Sequence, residues 1–373
     1  MREKDKPIRI LHVVTYMGRG GLETMLMNYY RNIDRDKVQF DFLTHRDFEA
    51  DYDQEIGALG GKIYHLPRLN PFSPAYLKRL DQFFMEHREY KIVHSHLDCM
   101  AGIPLKYAKR NGVPVRIAHA HNSSQVRDKK YILKLYFKRS ITKYATHLFA
   151  CSREAGKWMF ATDKFQVLNN AIDAGKYVYD GAVRKKVRDE LGIASDTFVF
   201  GHVGRFSAQK NHTFLIDIFE NILQKHSNSR LLLVGDGELR KDVEDKCRRA
   251  GIENKVIFTG VRTDVAELMQ GMDVFLFPSL FEGLGIVAVE AQAAGMPCLI
   301  SDKVPMECRK TKGLVHQIEL AAGAEKWADM ALKYAGTERK NTRKQIEEAG
   351  FDIHKNAEKL QQFYLNVSGE EIE

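Results

Sequence analysis

The chain has 373 residues, 44% hydrophobic and 28% charged. That is an ordinary balance for a folded soluble protein and too much chain for one core, so it excludes a disordered or fibrous polymer and predicts two domains. The net charge of +8 hides an asymmetry: residues 1–170 carry 29 Lys+Arg and 18 Asp+Glu, a balance of +11, while the remainder carries 28 and 31, a balance of −3. The basic first half is either a solubility feature or a surface for something anionic, nucleic acid or acidic lipid. Five cysteines without a C-x-x-C pair read as reduced core thiols of a cytoplasmic protein. No apolar run approaches the roughly 18–20 residues that cross a bilayer. The early run Ile8–Met17 contains His12 and leads into a glycine turn, so it does not read as a signal peptide.

In chain order, β-rich runs are expected at Ile8–Met17, Val38–Leu43, Lys62–Leu66, Lys91–His96, Val115–Ala120, His147–Cys151 and Gln166–Leu168. Helical patterns such as Glu23–Arg31, Tyr76–Arg88 and Met100–Lys109 lie between them. Alternation of this kind implies βαβ units around a parallel sheet. Asn169–Asp180 is small and polar and reads as an inter-domain connection. The alternation restarts with Phe198–Val203, Leu231–Val234, Val256–Thr259, Val274–Phe277 and Cys298–Ile300, and a last helix is expected over Asp352–Val367. The predicted architecture is α/β, two doubly wound domains facing across a cleft, with ligands outside the carboxyl ends of the strands.

The chemistry concentrates after the strand Val274–Phe277. Glu282 precedes the turn Gly283-Leu284-Gly285, a helix begins near Ile286, and Glu290 lies about a turn inside it. A helix N-terminus attracts phosphate through its unpaired N–H groups and its dipole, whereas carboxylates accept from hydroxyls. About five residues of helix rise, roughly 7.5 Å, separate the helix start from Glu290. A sugar at Glu282, a diphosphate at the helix start and a ribose at Glu290 would fit end to end. After Phe198–Val203, the turn at Gly204 presents Arg205 and Lys210, cations suited to a diphosphate or alternatively to a solvated loop.

This segment resembles the Glu-x7-Glu signature of retaining glycosyltransferases of the family 4 type, which have the GT-B fold. Gly204–Lys210 is similar to the family's Gly-Arg…Lys element, although Asn211 stands where a glycine is usual. Leu231–Glu238 and Val256–Gly260 fall in the family's order, and Gly20-Gly21-Leu22-Glu23 resembles its acceptor-domain glycine loop. Arg116–Asn122 resembles the histidine segment of the branch that builds bacterial exopolysaccharides and capsules. The resemblance implies an acceptor-binding domain over 1–170, a donor-binding domain over 171–350, and a helix over 351–373 crossing back to the first domain. It implies a nucleotide-sugar donor, with UDP expected, and a saccharide or lipid-linked acceptor. It implies Arg205, Lys210, Glu282 and His121 at the reacting groups. Donor contacts are implied at Gly20, Gly21, Gly204, Gly283, Leu284, Gly285, Ile286 and Glu290. No cofactor and no metal are expected. A UDP-sugar 2-epimerase of the same fold and a nucleic-acid binder are the rival readings.

Three further features carry weaker expectations. His119 and His121, like His94 and His96, are expected on opposite faces of their strands, one lining the cleft and one packing. Asp34-Arg35-Asp36 and Asp51-Tyr52-Asp53 read as surface turns. Arg127–Lys143, with seven basic residues against one acidic and a stripe of Leu133, Phe137, Ile141 and Tyr144, reads as a basic amphipathic helix. Such a helix either packs on the core or holds the protein at the cytoplasmic face of an anionic membrane.

Overall fold

The structure is a computed structural model and describes residues 6–124 and 131–369. The chain forms two compact units, Met1–Ala171 with Ile353–Glu373, and Ile172–Asp352.

The first unit is built on β1 (Ile8–Val13), β2 (Val38–Thr44), β3 (Ile63–His65), β4 (Ile92–Ser95), β5 (Val115–Ala120), β6 (His147–Ala150) and β7 (Gln166–Val167). They form one parallel sheet in the order β3-β2-β1-β4-β5-β6-β7. Every residue of β2 and β4 is buried, the mark of strands covered on both faces. The helix between β3 and β4 begins at a cap that the sequence supplies. At Pro74–Glu86 the Ser73 hydroxyl accepts from the Tyr76 N–H and Pro74 takes the first helical position.

The second unit repeats the plan with β8 (Phe198–Val203), β9 (Ser229–Val234), β10 (Val256–Gly260), β11 (Val274–Phe277), β12 (Cys298–Ser301) and β13 (Val315–Ile318), ordered β10-β9-β8-β11-β12-β13. In both sheets the strand order reverses beside the unit's first strand, between β1 and β4 and between β8 and β11. Such a reversal opens a crevice at the carboxyl ends of the strands.

The last helix, Ile353–Ser368, belongs to the first unit. Ile353, Ala357, Leu360 and Tyr364 join the core made by Tyr29, Tyr30, Phe40 and Phe42. The Tyr364 hydroxyl lies 2.7 Å from His94 Nδ1, and the Asp34 N–H donates to Gln361 Oε1 at 2.8 Å.

Four details depart from the sequence reading. β1 stops at Val13, four residues before Met17. β13 had no counterpart in it, because His316 and Gln317 interrupt the apolar run of an edge strand. The basic stretch is not one helix: Tyr131–Lys138 and Ile141–Tyr144 are separated at Arg139 and Ser140, and Arg127 lies outside the described residues. Ile141 of its apolar stripe is fully buried while Leu133, Phe137 and Tyr144 are half-buried. Asp53 opens the short helix Asp53–Ala58, whereas Asp34–Asp36 is a turn and all five cysteines are buried free thiols, as expected.

Tyr364→Ala should lower the stability of the first unit by about 3–5 kcal/mol, as other buried aromatic truncations do, whereas Tyr364→Phe should cost about 1 kcal/mol for the lost hydrogen bond. Thermal unfolding of both variants checks the order. An unchanged melting temperature for Tyr364→Ala would remove the helix from that core.

Candidate active site

Two loops at the reversal point of the second sheet make the site. The first follows β8. Gly204 N–H donates to Val234 O at 2.9 Å, and Phe206 N–H to Asp236 O at 3.0 Å, so this loop lies against the one after β9. A Cβ at Gly235 would stand 2.2 Å from Gly204 O, and one at Gly237 2.5 Å from Phe206 O. Both contacts are with backbone, which cannot give way, so the glycines of Leu231–Glu238 permit the close approach of the loops. The short turn Ala208–Lys210 follows and ends at Asn211, whose φ of +56° is left-handed. Asparagine tolerates that conformation better than other residues with a side chain, which explains its place where the family usually has glycine. Its Nδ2 also donates to Pro278 O at 3.2 Å, a bond glycine could not make.

The second loop follows β11. It is stitched to the first by Leu280 N–H to Gln209 O at 2.8 Å and by Gln209 Nε2 to Phe281 O at 2.9 Å. These bonds bring Lys210 and Glu282 together, Nζ to Oε1 at 2.6 Å, with Glu282 only 6% exposed. The Lys210 ammonium also lies 4.9 Å from the centre of the Phe277 ring. Gly285 adopts φ +80° and is the cap residue of the helix Ile286–Ala293, to which glycine offers no side-chain cap. A Cβ at Gly285 would meet Phe277 at 2.8 Å, so both space and conformation call for glycine. Leu284 is buried beneath the turn, and Ile286 opens the helix.

Glu290 is buried within that helix, and burial pushes its carboxyl up to about 7, with a hydrogen bond from Tyr177 partly offsetting the rise. Arg205 is largely exposed and paired with Glu238 at 3.1 Å. Gln209, Asn211 and Tyr177 thus shape the site without belonging to its sequence signature. Asn211 alone left a trace, as the residue that departs from the family pattern.

Gly20, Gly21 and His121 lie in the other unit. Gly20 is the cap residue of the helix Gly21–Asn32. His121 ends a buried cluster with His12, His94, His96 and His119 at the carboxyl ends of β1, β4 and β5. His119 and His121 are not on opposite faces: their ring centres lie 4.1 Å apart, and those of His94 and His96 4.3 Å. Residues two apart on a strand share a face, because the side-chain period is two. His12 Nδ1 is 3.0 Å from His96 Nε2, and His96 Nδ1 is 2.9 Å from His121 Nε2, so three rings form a hydrogen-bonded row. Burial pushes His12 and His121 down to about 3 and holds His94, His96 and His119 well below the ordinary range, so all five are neutral near pH 7. His12, His94 and His96, and likewise His96, His119 and His121, bring ring nitrogens within 4.8 Å of one another. Among the described residues no carboxylate joins either group.

Comparison with known proteins decides the family. Residues 19–176 match the profile described as Glycosyltransferase Family 4, and residues 183–309 the one described as Glycosyl transferases group 1. EpsF of Bacillus subtilis (strain 168), named as a glycosyltransferase, is 36% identical over 97% of both chains. The chain belongs to the family 4 glycosyltransferases. A galactosyltransferase of Escherichia coli, named for transfer from UDP-Gal to α-D-GlcNAc-diphosphoundecaprenol with an α-1,3 linkage, is 25% identical to the enzyme. That match covers 76% of this chain and 77% of the relative. Among solved structures, Anabaena HepE in complex with UDP and glucose superposes with a TM-score of 0.78 at 20% identity, over 97% of the enzyme and all of HepE. That likeness establishes the GT-B fold for the enzyme.

The Glu290 carboxyl gives this site a pH signature. Under the ribose-holding role expected for Glu290, the ionised carboxylate accepts from both hydroxyls, whereas the neutral carboxyl commits one oxygen as a donor, and with the group near 7 the ionised fraction falls as pH drops below that value. The affinity for a UDP-sugar, whose diphosphate does not titrate there, should therefore weaken below pH 7, approaching about tenfold per unit. Glu290→Gln should bind more weakly at pH 8 and show a flat profile. Calorimetry from pH 5.5 to 8 checks this, and a wild-type profile as flat as the variant's would remove Glu290 from the site.

Proposed function

We propose that the enzyme moves a sugar from a UDP-sugar to a hydroxyl of a saccharide or lipid-linked acceptor, with retention at the anomeric carbon, in bacterial exopolysaccharide or capsule biosynthesis. The observation that carries the reading is the buried contact of Lys210 with Glu282 beside the helix start at Gly285. It sets a cation and N–H donors for a departing diphosphate next to an acceptor for sugar hydroxyls. The E. coli relative supports UDP, an α product and a lipid-linked acceptor by its name, and the HepE complexes with UDP and with UDP-glucose support the nucleotide. A Staphylococcus aureus relative, 23% identical, is named for capsular polysaccharide biosynthesis.

In this reading the second unit holds the donor and the first the acceptor. The bond from the anomeric carbon to the diphosphate breaks, and the bond to the acceptor oxygen forms on the same face. The acceptor proton passes to the departing diphosphate, so no protein nucleophile is required. Lys210, Arg205 and the helix start from Gly283 to Ile286 stabilise the leaving charge, and Glu290 holds the ribose. Glu282 and His121 are assigned to the transferred sugar, and Gly20, Gly21 and Gly204 to backbone contacts with the donor. The step needs no metal, because cationic side chains and N–H groups stand where a metal-dependent site would place carboxylates. The enzyme works at the cytoplasmic face of the membrane, held by the basic run 127–143. No helix among the described residues is long and apolar enough to span it.

The test is turnover with a panel of UDP-sugars and a diphosphate-linked saccharide acceptor, with and without added Mg²⁺ or Mn²⁺. Transfer with an α product and no metal requirement is expected. Isomerisation of the UDP-sugar without acceptor would make the enzyme an epimerase instead. Lys210→Ala should lower turnover by about 10²-fold, the scale of losing one oxyanion donor, while the protein stays folded. A variant keeping more than about half of the wild-type rate would overturn the assignment to the leaving group.

A further inference from the structure

The first unit holds a cavity of about 400 Å³ that the transfer chemistry does not use. Its floor is apolar: Leu77, Ile103, Tyr107 and Phe137 line it. Among the described residues its charged lining consists of Lys106, Arg139 and Lys143, with no acidic residue. The break between Tyr131–Lys138 and Ile141–Tyr144 puts Arg139 and Lys143 at this cavity. Lys138 is turned elsewhere, with Nζ donating to Trp158 O and standing 4.4 Å from the Trp158 ring centre. Three large apolar side chains stand in water around the same elements: Phe72 at 68% exposure, Ile132 at 81% and Tyr136 at 67%. Tyr136 itself lines the cavity, and the Phe72 ring lies 6.0 Å from that of Phe137.

Exposed aromatics, an apolar floor and acid-free cations together match one kind of ligand, a phosphate head on a hydrocarbon chain. A free nucleotide or sugar phosphate would leave the exposed apolar side chains unexplained, and a purely apolar ligand would make no use of the three cations beside the apolar floor. A pocket of this size takes a head and only the first part of a chain, so the remainder would stay in the bilayer beside Ile132 and Tyr136. We propose that this cavity binds the diphosphate and first isoprene units of a polyprenyl-diphosphate lipid, the carrier of the acceptor saccharide. The proposal rests on the lipid-linked acceptor of the reading above and adds the place where the carrier is held. Lys106, Arg139 and Lys143 pair with the diphosphate, and Leu77, Ile103 and Tyr107 cover the first isoprene units.

The test is binding of farnesyl diphosphate to the full chain in saturating UDP, which blocks the diphosphate site of the second unit. Inorganic diphosphate and phosphatidylglycerol vesicles serve as the comparison arms. Farnesyl diphosphate should bind at least about tenfold more tightly than inorganic diphosphate, since each buried isoprene adds apolar area. Vesicles should not displace it. The triple variant Lys106→Glu, Arg139→Glu, Lys143→Glu changes only exposed side chains, and it should weaken this binding by at least about tenfold and leave UDP affinity unchanged. Tyr136→Ser should weaken farnesyl diphosphate but not inorganic diphosphate. In transfer assays the triple variant should lose rate on a polyprenyl-linked acceptor and keep it on a water-soluble analogue. Equal binding of the two diphosphates, displacement by vesicles, or full transfer to the lipid-linked acceptor by the triple variant would overturn the proposal. Absence of transfer to either acceptor by the wild type would instead overturn the transfer reaction itself.

Discussion

The second unit is organised around one ion pair. Lys210 and Glu282 come from loops 72 residues apart and meet at 2.6 Å with both side chains mostly buried. Burying two charges is costly, and a pair of this kind contributes little net stability against a well-packed apolar substitute. Its retention at the mouth of a parallel sheet points to ligand binding. Under the proposed role, an incoming diphosphate shares the lysine, and the carboxylate turns from accepting an ammonium to accepting a sugar hydroxyl. The charges are already desolvated and oriented before the ligand arrives, which is where electrostatic preorganisation gains over water.

The backbone that holds the pair is as specific as the pair itself. Gln209 contributes both its carbonyl and its side-chain amide to the second loop, and Asn211 adds a third bond. On its other side the Gly204 loop is pressed against Gly235 and Gly237 at distances no Cβ could occupy. Three loops, after β8, β9 and β11, therefore behave as one body. The motif Leu231–Glu238, which the family resemblance picks out by position, has a mechanical explanation here. It supports the loop that carries Arg205 and Lys210, and its Glu238 pairs with Arg205.

Much of this was legible in the sequence, for reasons that also mark where it stopped. β5, β8 and β11 are apolar runs bounded by turn residues, and their ranges match the sequence expectation. Glu282, Gly285 and Glu290 could be placed because a strand, a glycine turn and a helix start each leave a local mark. The edge strand β13 left none, since half its residues face solvent. The stitching by Gln209 was not readable, because a glutamine bonded across 72 residues looks like any loop glutamine. The break at Arg139 and Ser140 was hidden by a stripe that continues at helical spacing through it. The error over His119 and His121 was of another kind, since the two-residue period alone puts both on one face.

The two sheets share a topology and differ in what they bury at the point of reversal. In the second unit it is a charged pair, with a carboxyl poised near neutrality behind it. In the first it is five histidines kept neutral by burial, three of them in a hydrogen-bonded row from His12 to His121. A neutral imidazole has one donor and one acceptor nitrogen, so the row is consistent only if its three rings carry the proton on the same nitrogen. All are Nδ1–H or all are Nε2–H. The state of His12, deep in the sheet, is thereby tied to that of His121 at the strand end. A row of this kind offers polarity without net charge, and its last nitrogen, the buried His121 Nδ1, is a donor in one arrangement and an acceptor in the other. That suits the role proposed for the first unit, to meet an acceptor hydroxyl that must be held through its oxygen yet give up its proton, while the fixed charges stay with the proposed diphosphate site.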